Sequence, residues 1–249
     1  MTASFRLIAH RGAPLRAPEN TLASFRAALG LGAAEVETDV QLTTDGVLVL
    51  CHDDTLARYG NGDRAVETRA YAGDDGLARM DFGAWFSENF AGARIATLAE
   101  LLDTHGGDFA FHIELKGAHP RLAEETLAAV EDRGLTGRCV FTSFSFEQLR
   151  RARAASRDIR LGWLVRALDE PALRGAEELG LFQLCPLASA VTPERITQAL
   201  RTVKEVRAWG CPREAEAARR TAQTLKVAGC VGMTVDELGW FAEDGFSNK

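Results

Sequence analysis

The sequence contains no run of about 18 apolar residues, so it lacks a segment with the length and hydrophobicity of a transmembrane helix. Its first residues, M-T-A-S-F-R-L-I-A-H, do not contain the apolar core of a signal peptide. It also has no internal repeat and no low-complexity tract. These absences lead us to expect a cytoplasmic globular protein that does not insert into membranes.

Cysteine and positive charge are also scarce. The five cysteines are odd in number, widely spaced and without a C-x-x-C pair, so we expect buried free thiols and no disulfide framework. Lys and Arg total 29 against 35 Asp and Glu, which gives a net charge of −6. This balance argues against nucleic acid as a partner, although a locally positive site could still bind a small anionic substrate.

Short apolar strands and amphipathic helices alternate along most of the chain. Alternation of this kind indicates a parallel α/β sheet, and eight such units in 249 residues favour a closed (β/α)8 TIM barrel. We therefore predict a single domain over residues 1–249. The predicted strands are residues 5–10, 34–40, 109–116, 138–143, 159–165, 181–185, 205–209 and 228–234.

Residues 53–95 interrupt this alternation after the second strand. The segment is polar and rich in glycine, so we predict a small inserted cap rather than a regular strand and helix. We expect its aromatic residues Trp85 and Phe86 to pack beneath the cap, with ligand contact as the less favoured alternative.

The most informative stretch is residues 35–53, which is predicted to form a hairpin around Asp45-Gly46. A two-residue loop at this point places Asp39 opposite His52. Glu37 lies two residues before Asp39 and therefore shares its face of the strand. Two carboxylates and an imidazole gathered at one place suit a divalent cation and proton transfer, although a solvent-facing hairpin is also compatible with this pattern.

Polar residues also cluster where the predicted strands end, and the active sites of (β/α)8 barrels lie at those ends. Three carboxylates from adjacent strands, Glu37, Asp39 and Glu114, could form a three-oxygen metal site that leaves positions for substrate and water. The other polar or aromatic side chains at strand ends are His10, Arg11, Lys116, Ser143 and Trp209. Ser143 is not surrounded by G-x-S-x-G, so we do not favour a serine hydrolase.

Together, these segments resemble the glycerophosphodiester phosphodiesterase family. The resemblance extends over essentially the whole chain and is strongest in residues 5–55 and 110–117. The matching segments, in order, are His10-Arg11-Gly12, Pro18-Glu19-Asn20-Thr21, Glu37-x-Asp39, Thr44-Asp45-Gly46, His52-Asp53 and Ile113-Glu114-Leu115-Lys116.

The resemblance implies a (β/α)8 barrel with a small insertion after the second strand. It implies a metal-dependent hydrolase that releases glycerol 3-phosphate and an alcohol from glycerophosphodiesters. The residues it assigns are His10 and His52 as the acid/base pair, Glu37, Asp39 and Glu114 as ligands of one divalent ion (Mg²⁺ or Ca²⁺), Arg11 and Lys116 as phosphate contacts, and Trp209 beside the glycerol.

The chain departs from the family pattern in three segments, and these departures leave the alcohol unassigned. One alternative is a phospholipase D-like enzyme for lysophospholipids or another phosphodiester, with an apolar channel lined by Trp85, Phe86 and Trp163. A non-catalytic phosphodiester-binding barrel and a metal-dependent sugar isomerase are less favoured, and the oligomeric state is left open. The departing segments are Cys185-Pro186, Trp209-Gly210-Cys211-Pro212 and Val235-Asp236-Glu237-Leu238.

Two further residues have two interpretations each. Glu19 could pair with Arg11 and orient it, or it could be an acid favoured at the start of a helix. His112 shares a face with Glu114 and Lys116 but lies deeper in the predicted barrel. We expect it to be a hydrogen-bonded interior residue rather than a metal ligand.

Overall fold

Eight parallel strands close into a barrel in the computed structural model, which describes residues 5–242. Closure is made by β1, which pairs with β2 on one side and with β9 on the other. The predicted (β/α)8 barrel is therefore confirmed. The strands are β1 Arg6–His10, β2 Glu35–Leu42, β3 Leu48–Leu50, β4 Ala110–Leu115, β5 Cys139–Ser143, β6 Arg160–Val165, β7 Gln183–Pro186, β8 Glu205–Ala208 and β9 Gly232–Val235; β3 is an antiparallel addition to β2.

Helices cover the outside of the barrel, and local signals set their ends. A reciprocal capping box between Thr97 and Glu100 begins α2. No helix in residues 5–242 is both long and apolar enough to cross a membrane. The helices are α1 Leu22–Gly30, α2 Leu98–His105, α3 Leu122–Glu131, α4 Phe146–Ala155, α5 Glu170–Leu179, α6 Pro193–Ala199 and α7 Ala215–Ala228.

The last predicted strand, residues 228–234, begins too early. Helix α7 continues to Ala228 and ends at Gly229, whose φ of 101° is the left-handed conformation that glycine adopts readily. Strand β9 therefore starts only at Gly232. A short apolar run fits a buried strand or a helix end equally well, and the glycine was the signal that distinguished them here.

The predicted hairpin is present, but its register is shifted by one residue. Val40 lies opposite Leu50, so the ladder places Asp39 opposite Cys51 rather than opposite His52. The loop has three residues instead of two, because Thr43 and Val47 close it and Gly46 adopts a left-handed φ of 82°. Such a slip moves a side chain to the other face of a regular strand.

Residues 53–95 contain four short 3₁₀ helices, at Ala57–Tyr59, Val66–Thr68, Leu77–Arg79 and Glu88–Phe90. The segment has its own hydrophobic cluster, which includes Leu56 and Leu77 and is joined to the hairpin through Val49. Trp85 packs edge-on against Tyr59 and Phe86 within the segment. The role of this insertion as a cap over the site stays a prediction.

The interior of the barrel beneath the strand ends is unusually polar. Arg6 lies between Glu35, at 3.4 Å, and Glu205, at 2.5 Å. His112 is buried and its Nε2 is 2.8 Å from Glu35. The expectation that His112 is a hydrogen-bonded interior residue is confirmed. Burial lowers its pKa, which favours the neutral imidazole in this position.

Candidate active site

Strand pairing brings the three predicted metal-binding carboxylates together. Glu37 is level with His10 on β1, and Asp39 is level with Glu114 on β4. One carboxylate oxygen from each of the three residues lies within 4.8 Å of the others, and all three side chains are buried. The fold therefore concentrates three acidic groups at one point of the barrel rim.

Burial and mutual repulsion make it unfavourable for all three carboxyl groups of this cluster to be ionised. Burial raises the pKa of Glu37 well above its usual value, and the charges of Asp39 and Glu114 raise it further. Burial and the charge of Asp39 raise the pKa of Glu114 to about 7. Burial also opposes ionisation of Asp39, but the charge of Arg11 and other contacts lower its pKa.

The donor set fits a hard divalent cation. Such ions prefer several carboxylate oxygens, and three buried carboxylates are unfavourable without a compensating charge. The Oδ1 atom of Asp39 is buried and has no hydrogen-bond partner in residues 5–242. An ion held by Glu37, Asp39 and Glu114 would satisfy that oxygen.

Arg11 reaches the cluster through an unusual backbone conformation. Its φ is 52°, and the chain after it turns at Gly12, where a Cβ atom would lie 2.5 Å from the hydroxyl of Ser24. The Arg11 side chain places Nε 3.1 Å from Asp39 and donates from Nη1 to Glu19 at 2.8 Å. Glu19 lies ahead of the Thr21 cap of α1. The interpretation that it pairs with Arg11 is confirmed.

Lys116 supplies a second cation at the end of β4. Its Nζ is 3.0 Å from Glu114 and 3.8 Å from Asp39. It also lies 5.8 Å from the centre of the Phe144 ring. Arg11 and Lys116 thus flank the acidic cluster from two sides, where both can reach an anion bound beside it.

Each of the two predicted catalytic histidines is held by an aspartate. The Nδ1 atom of His10 lies 2.6 Å from Asp236, and that of His52 lies 2.7 Å from Asp53. An ionised carboxylate only accepts hydrogen bonds, so both Nδ1 atoms carry a proton and Nε2 is left for proton exchange. In His10, Nε2 is 3.9 Å from Glu37.

His52 lines the same cavity as His10, Glu37 and Glu114. Strand β3 ends at Leu50, two residues earlier, and the chain then bends away from the ladder. This bend explains how His52 reaches the site although it is not the residue opposite Asp39. The expectation that His52 approaches the site is confirmed, and only the predicted register is wrong.

The cavity has a volume of about 310 Å³. Trp209 forms part of its lining and donates its indole N–H to the carbonyl of Val165 at 3.1 Å. The ring of Phe144 meets the Trp209 ring edge-on at 5.1 Å. Because the indole N–H is already hydrogen-bonded to Val165, the ring presents an apolar surface to a ligand.

The residues predicted to form a longer apolar channel lie elsewhere. Trp85, Phe86 and Trp163 belong to the described residues, and none of them lines the cavity. Trp163 packs against Phe146 of α4, outside the barrel. These three side chains therefore do not extend the cavity as an apolar channel.

Sequence reasoning missed several residues that position the site. Asp236 was noted only as part of a departing segment, yet it holds His10. Asn20, noted only as part of a matching segment, donates to Asp39 at 3.0 Å and adopts a left-handed φ of 57°. Asn is one of the few residues that tolerate this conformation, which is the signal that could have revealed it. Arg207, fully buried inside the barrel, was also missed.

Comparison with known proteins gives a consistent result. The profile of the glycerophosphoryl diester phosphodiesterase family matches residues 10–239. The chain is 32% identical over 236 residues to a glycerophosphodiester phosphodiesterase from Caldanaerobacter subterraneus subsp. tengcongensis, covering 93% of each chain.

Two solved structures are similar over nearly the whole chain. A phosphodiesterase from Oleispira antarctica, in complex with the product sn-glycerol-3-phosphate, is 27% identical with a TM-score of 0.79, and the match covers 95% of both chains. A glycerophosphodiester phosphodiesterase from Agrobacterium tumefaciens is 25% identical with a TM-score of 0.77, covering 96% of this chain and 99% of that one.

Proposed function

The chain belongs to the glycerophosphoryl diester phosphodiesterase family and is a phosphoric diester hydrolase, and on that premise we propose that it hydrolyses glycerophosphodiesters to glycerol 3-phosphate and an alcohol. One observation carries the proposal. Two members of a buried cluster of three carboxylates, Glu37 and Glu114, line the same cavity as two aspartate-bound histidines.

In this proposal Glu37, Asp39 and Glu114 bind one divalent cation, Mg²⁺ or Ca²⁺. The ion would supply positive charge to a phosphoryl oxygen and to the attacking hydroxyl. The three carboxylates orient it at the end of β2 and β4, next to the cavity.

Arg11 and Lys116 hold the phosphate. The planar guanidinium of Arg11 can bind two phosphate oxygens, and Lys116 adds a point charge on the β4 side. Arg11 donates a hydrogen bond to Glu19, and Lys116 donates one to Glu114. These contacts fix the positions of the two cations before a substrate arrives.

The two histidines share the proton transfers. One Nε2 accepts the proton of the attacking hydroxyl, and the other donates a proton to the leaving alcohol oxygen. The attacking group is water or the neighbouring glycerol hydroxyl. Because Asp236 and Asp53 fix both Nδ1 atoms, each imidazole presents the same nitrogen to the substrate. Each transfer contributes roughly 10²- to 10⁴-fold to the rate.

Trp209 lines the organic side of the site, with its ring available for apolar contact. The phospholipase D-like alternative is not supported by its predicted channel, because Trp85, Phe86 and Trp163 do not line the cavity. The cytoplasmic location stays a prediction.

Hydrolysis assays with purified protein test the proposal. Glycerophosphocholine, glycerophosphoethanolamine and glycerophosphoglycerol are incubated with EDTA, or with EDTA followed by Mg²⁺, Ca²⁺ or Mn²⁺, and released glycerol 3-phosphate is measured. We expect activity that EDTA abolishes and a divalent ion restores, and no metal-dependent activity in Glu114→Gln. Absence of hydrolysis with every metal contradicts the proposal.

A further inference from the structure

The cavity contains two cations that the proposed chemistry does not use. Arg207 lies on β8, two residues before Trp209, and Arg213 lies in the loop after that strand; both line the cavity. Around the barrel, β8 is separated from β4 by three strands on either side. These two arginines therefore face the phosphate-binding and metal-binding residues across the cavity.

Arg207 is only 1% exposed, and its guanidinium is held by side chains of the neighbouring barrel strands. Its Nε is 3.3 Å from the Gln183 side-chain oxygen, its Nη1 donates to the Thr234 hydroxyl, and its Nη2 is 3.6 Å from the sulfur of Cys185. All three partners are neutral. No carboxylate within residues 5–242 lies within 4.0 Å of this guanidinium, and the acids deeper in the barrel are paired with Arg6.

A buried guanidinium that lacks an acidic partner is unfavourable and is stabilised by an anion. Arg213 is exposed at the mouth of the cavity and likewise has no carboxylate within 4.0 Å in the described part of the chain. The other two cations that line the cavity each form an ion pair with a carboxylate, Arg11 with Glu19 and Lys116 with Glu114. Among residues 5–242, the β8 side of the cavity therefore carries two guanidinium groups without a direct carboxylate contact. Acidic groups interact with them only at longer range, since the charge of Arg213 lowers the pKa of Asp236 and that of Arg207 lowers the pKa of Glu37.

From this arrangement we infer that Arg207 and Arg213 form a subsite for a second anionic group, a carboxylate or a phosphate, on the organic substituent that lies over Trp209. The inference rests on the proposed function and specifies the substrate class. The aromatic pair of Phe144 and Trp209 could in principle receive a cationic group such as choline. Two nearby guanidinium charges oppose that, and Phe144 already has Lys116 near its ring.

A matched pair of phosphate monoesters tests the subsite without requiring turnover. O-phosphoserine and phosphoethanolamine differ only by one carboxylate, and their binding is measured by titration calorimetry with Mg²⁺ present. We expect the native protein to bind O-phosphoserine about 10- to 100-fold more tightly, which is the range for charge-assisted hydrogen bonds in a partly buried site.

Arginine variants identify the origin of that preference. Arg213→Gln at the exposed position and Arg207→Met at the buried one should each reduce the preference several-fold, and thermal unfolding shows whether Arg207→Met folds. If it does not fold, Arg213→Gln decides alone. Arg174→Gln, on the exposed face of α5, is the matched control and should keep the native preference.

Two results overturn the inference: equal binding of the two monoesters by the native protein, or a preference that Arg213→Gln and any folded Arg207→Met both retain. Hydrolysis of glycerophosphodiesters is measured separately on the same samples. Loss of hydrolysis with an intact binding preference counts against the proposed function and leaves the subsite supported.

Discussion

The two histidines face one cavity but are held by different parts of the molecule. His10 ends barrel strand β1, and its partner Asp236 follows the neighbouring barrel strand β9. His52 follows the short hairpin strand β3 and is held by Asp53, the next residue in the chain. The position of His10 is therefore set by the barrel, whereas that of His52 depends on the hairpin and the insertion.

The two aspartates also differ in their electrostatic surroundings. Asp53 is 2.7 Å from Arg58, which in turn binds Glu19 at 2.7 Å. Asp236 contacts His10, and no Lys or Arg side chain among residues 5–242 lies within 4.0 Å of it. The hydrogen bond from His10 lowers the pKa of Asp236 although burial opposes this. Asp236 therefore makes its direct contact with His10 and interacts with Arg213 and Arg11 only at longer range, whereas Asp53 contacts both His52 and Arg58 directly.

Removing either imidazole should have the largest effect. His10→Ala and His52→Ala should each lower kcat by about 10²- to 10⁴-fold, because each loses a proton-transfer group. Both side chains are about one-third exposed, at 30% and 33%, so the melting temperature should change little. Initial rates and thermal unfolding measure both quantities.

A histidine outside the cavity provides the control for these two variants. His119 lies in the loop after β4 and does not line the cavity, so His119→Gln should keep native turnover. Near-normal hydrolysis of glycerophosphocholine by His52→Ala would falsify the paired-histidine mechanism.

Replacing the two aspartates should affect turnover to different degrees on the His10 and His52 sides of the cavity. Asp236→Asn removes the only charge that acts on His10 through Nδ1, and we expect kcat to fall about 10- to 100-fold, as for loss of one charged hydrogen bond. Asp53→Asn should lower kcat less, because Arg58 already offsets part of its charge. KM should change little in both variants. Equal losses of kcat would show that the asymmetry has no functional consequence.

Metal binding should depend on pH below neutrality. In the metal-free protein, burial and Asp39 raise the pKa of Glu114 to about 7. As the pH falls through that value, the carboxyl group gains a proton that a metal must displace. Metal affinity should therefore decrease by up to about tenfold per pH unit below 7 and level off above it.

Titration calorimetry in buffers of different ionisation enthalpy checks this proton release. Near pH 6.5 the native protein should release protons when Mg²⁺ or Ca²⁺ binds. Affinity that is constant between pH 5.5 and 7.5, with no proton release, would contradict the raised pKa of Glu114.

The smallest decrease in kcat is expected for Arg58, the residue of the insertion that contacts Asp53 beside His52. Arg58→Met breaks the link between Asp53 and Glu19, and kcat should decrease less than about tenfold because partly exposed ion pairs contribute about 0.2–1 kcal/mol each. The surface variant Arg174→Met is the control. A decrease in Arg58→Met as large as that in His52→Ala would mean that the insertion determines the position of His52.

The elements of the barrel were largely predictable from local patterns. Helix α4, for example, is set by the Ser145 cap and the apolar periodicity of Phe146–Ala155, and both signals act within a few residues. The hairpin register was wrong because Asp45-Gly46 is compatible with loops of two or three residues. The choice between them is made by Thr43, whose backbone and side chain both bond to Val47.

Some residues of the candidate site could likewise be placed from local patterns, and others could not. Glu37, Asp39 and Glu114 could be placed together from the sequence, because strand order and side-chain alternation fix their positions. Asp236 is 226 residues from His10 in the chain, and no local pattern indicates that the two touch. Only closure of the barrel between β1 and β9 brings them within hydrogen-bonding distance.

By itself, the sequence determined the strands, the helices and the residue types that gather at the strand ends. Alternation, capping and turn chemistry act over a few residues, so they can be read without the fold. The tertiary structure alone decided which aspartate holds each histidine, and that the hydrogen-bond partners of Arg207 in the described part of the chain are all neutral. Those contacts depend on barrel closure and on the charges that converge from distant strands, and the burial they create sets the electrostatic properties of the site.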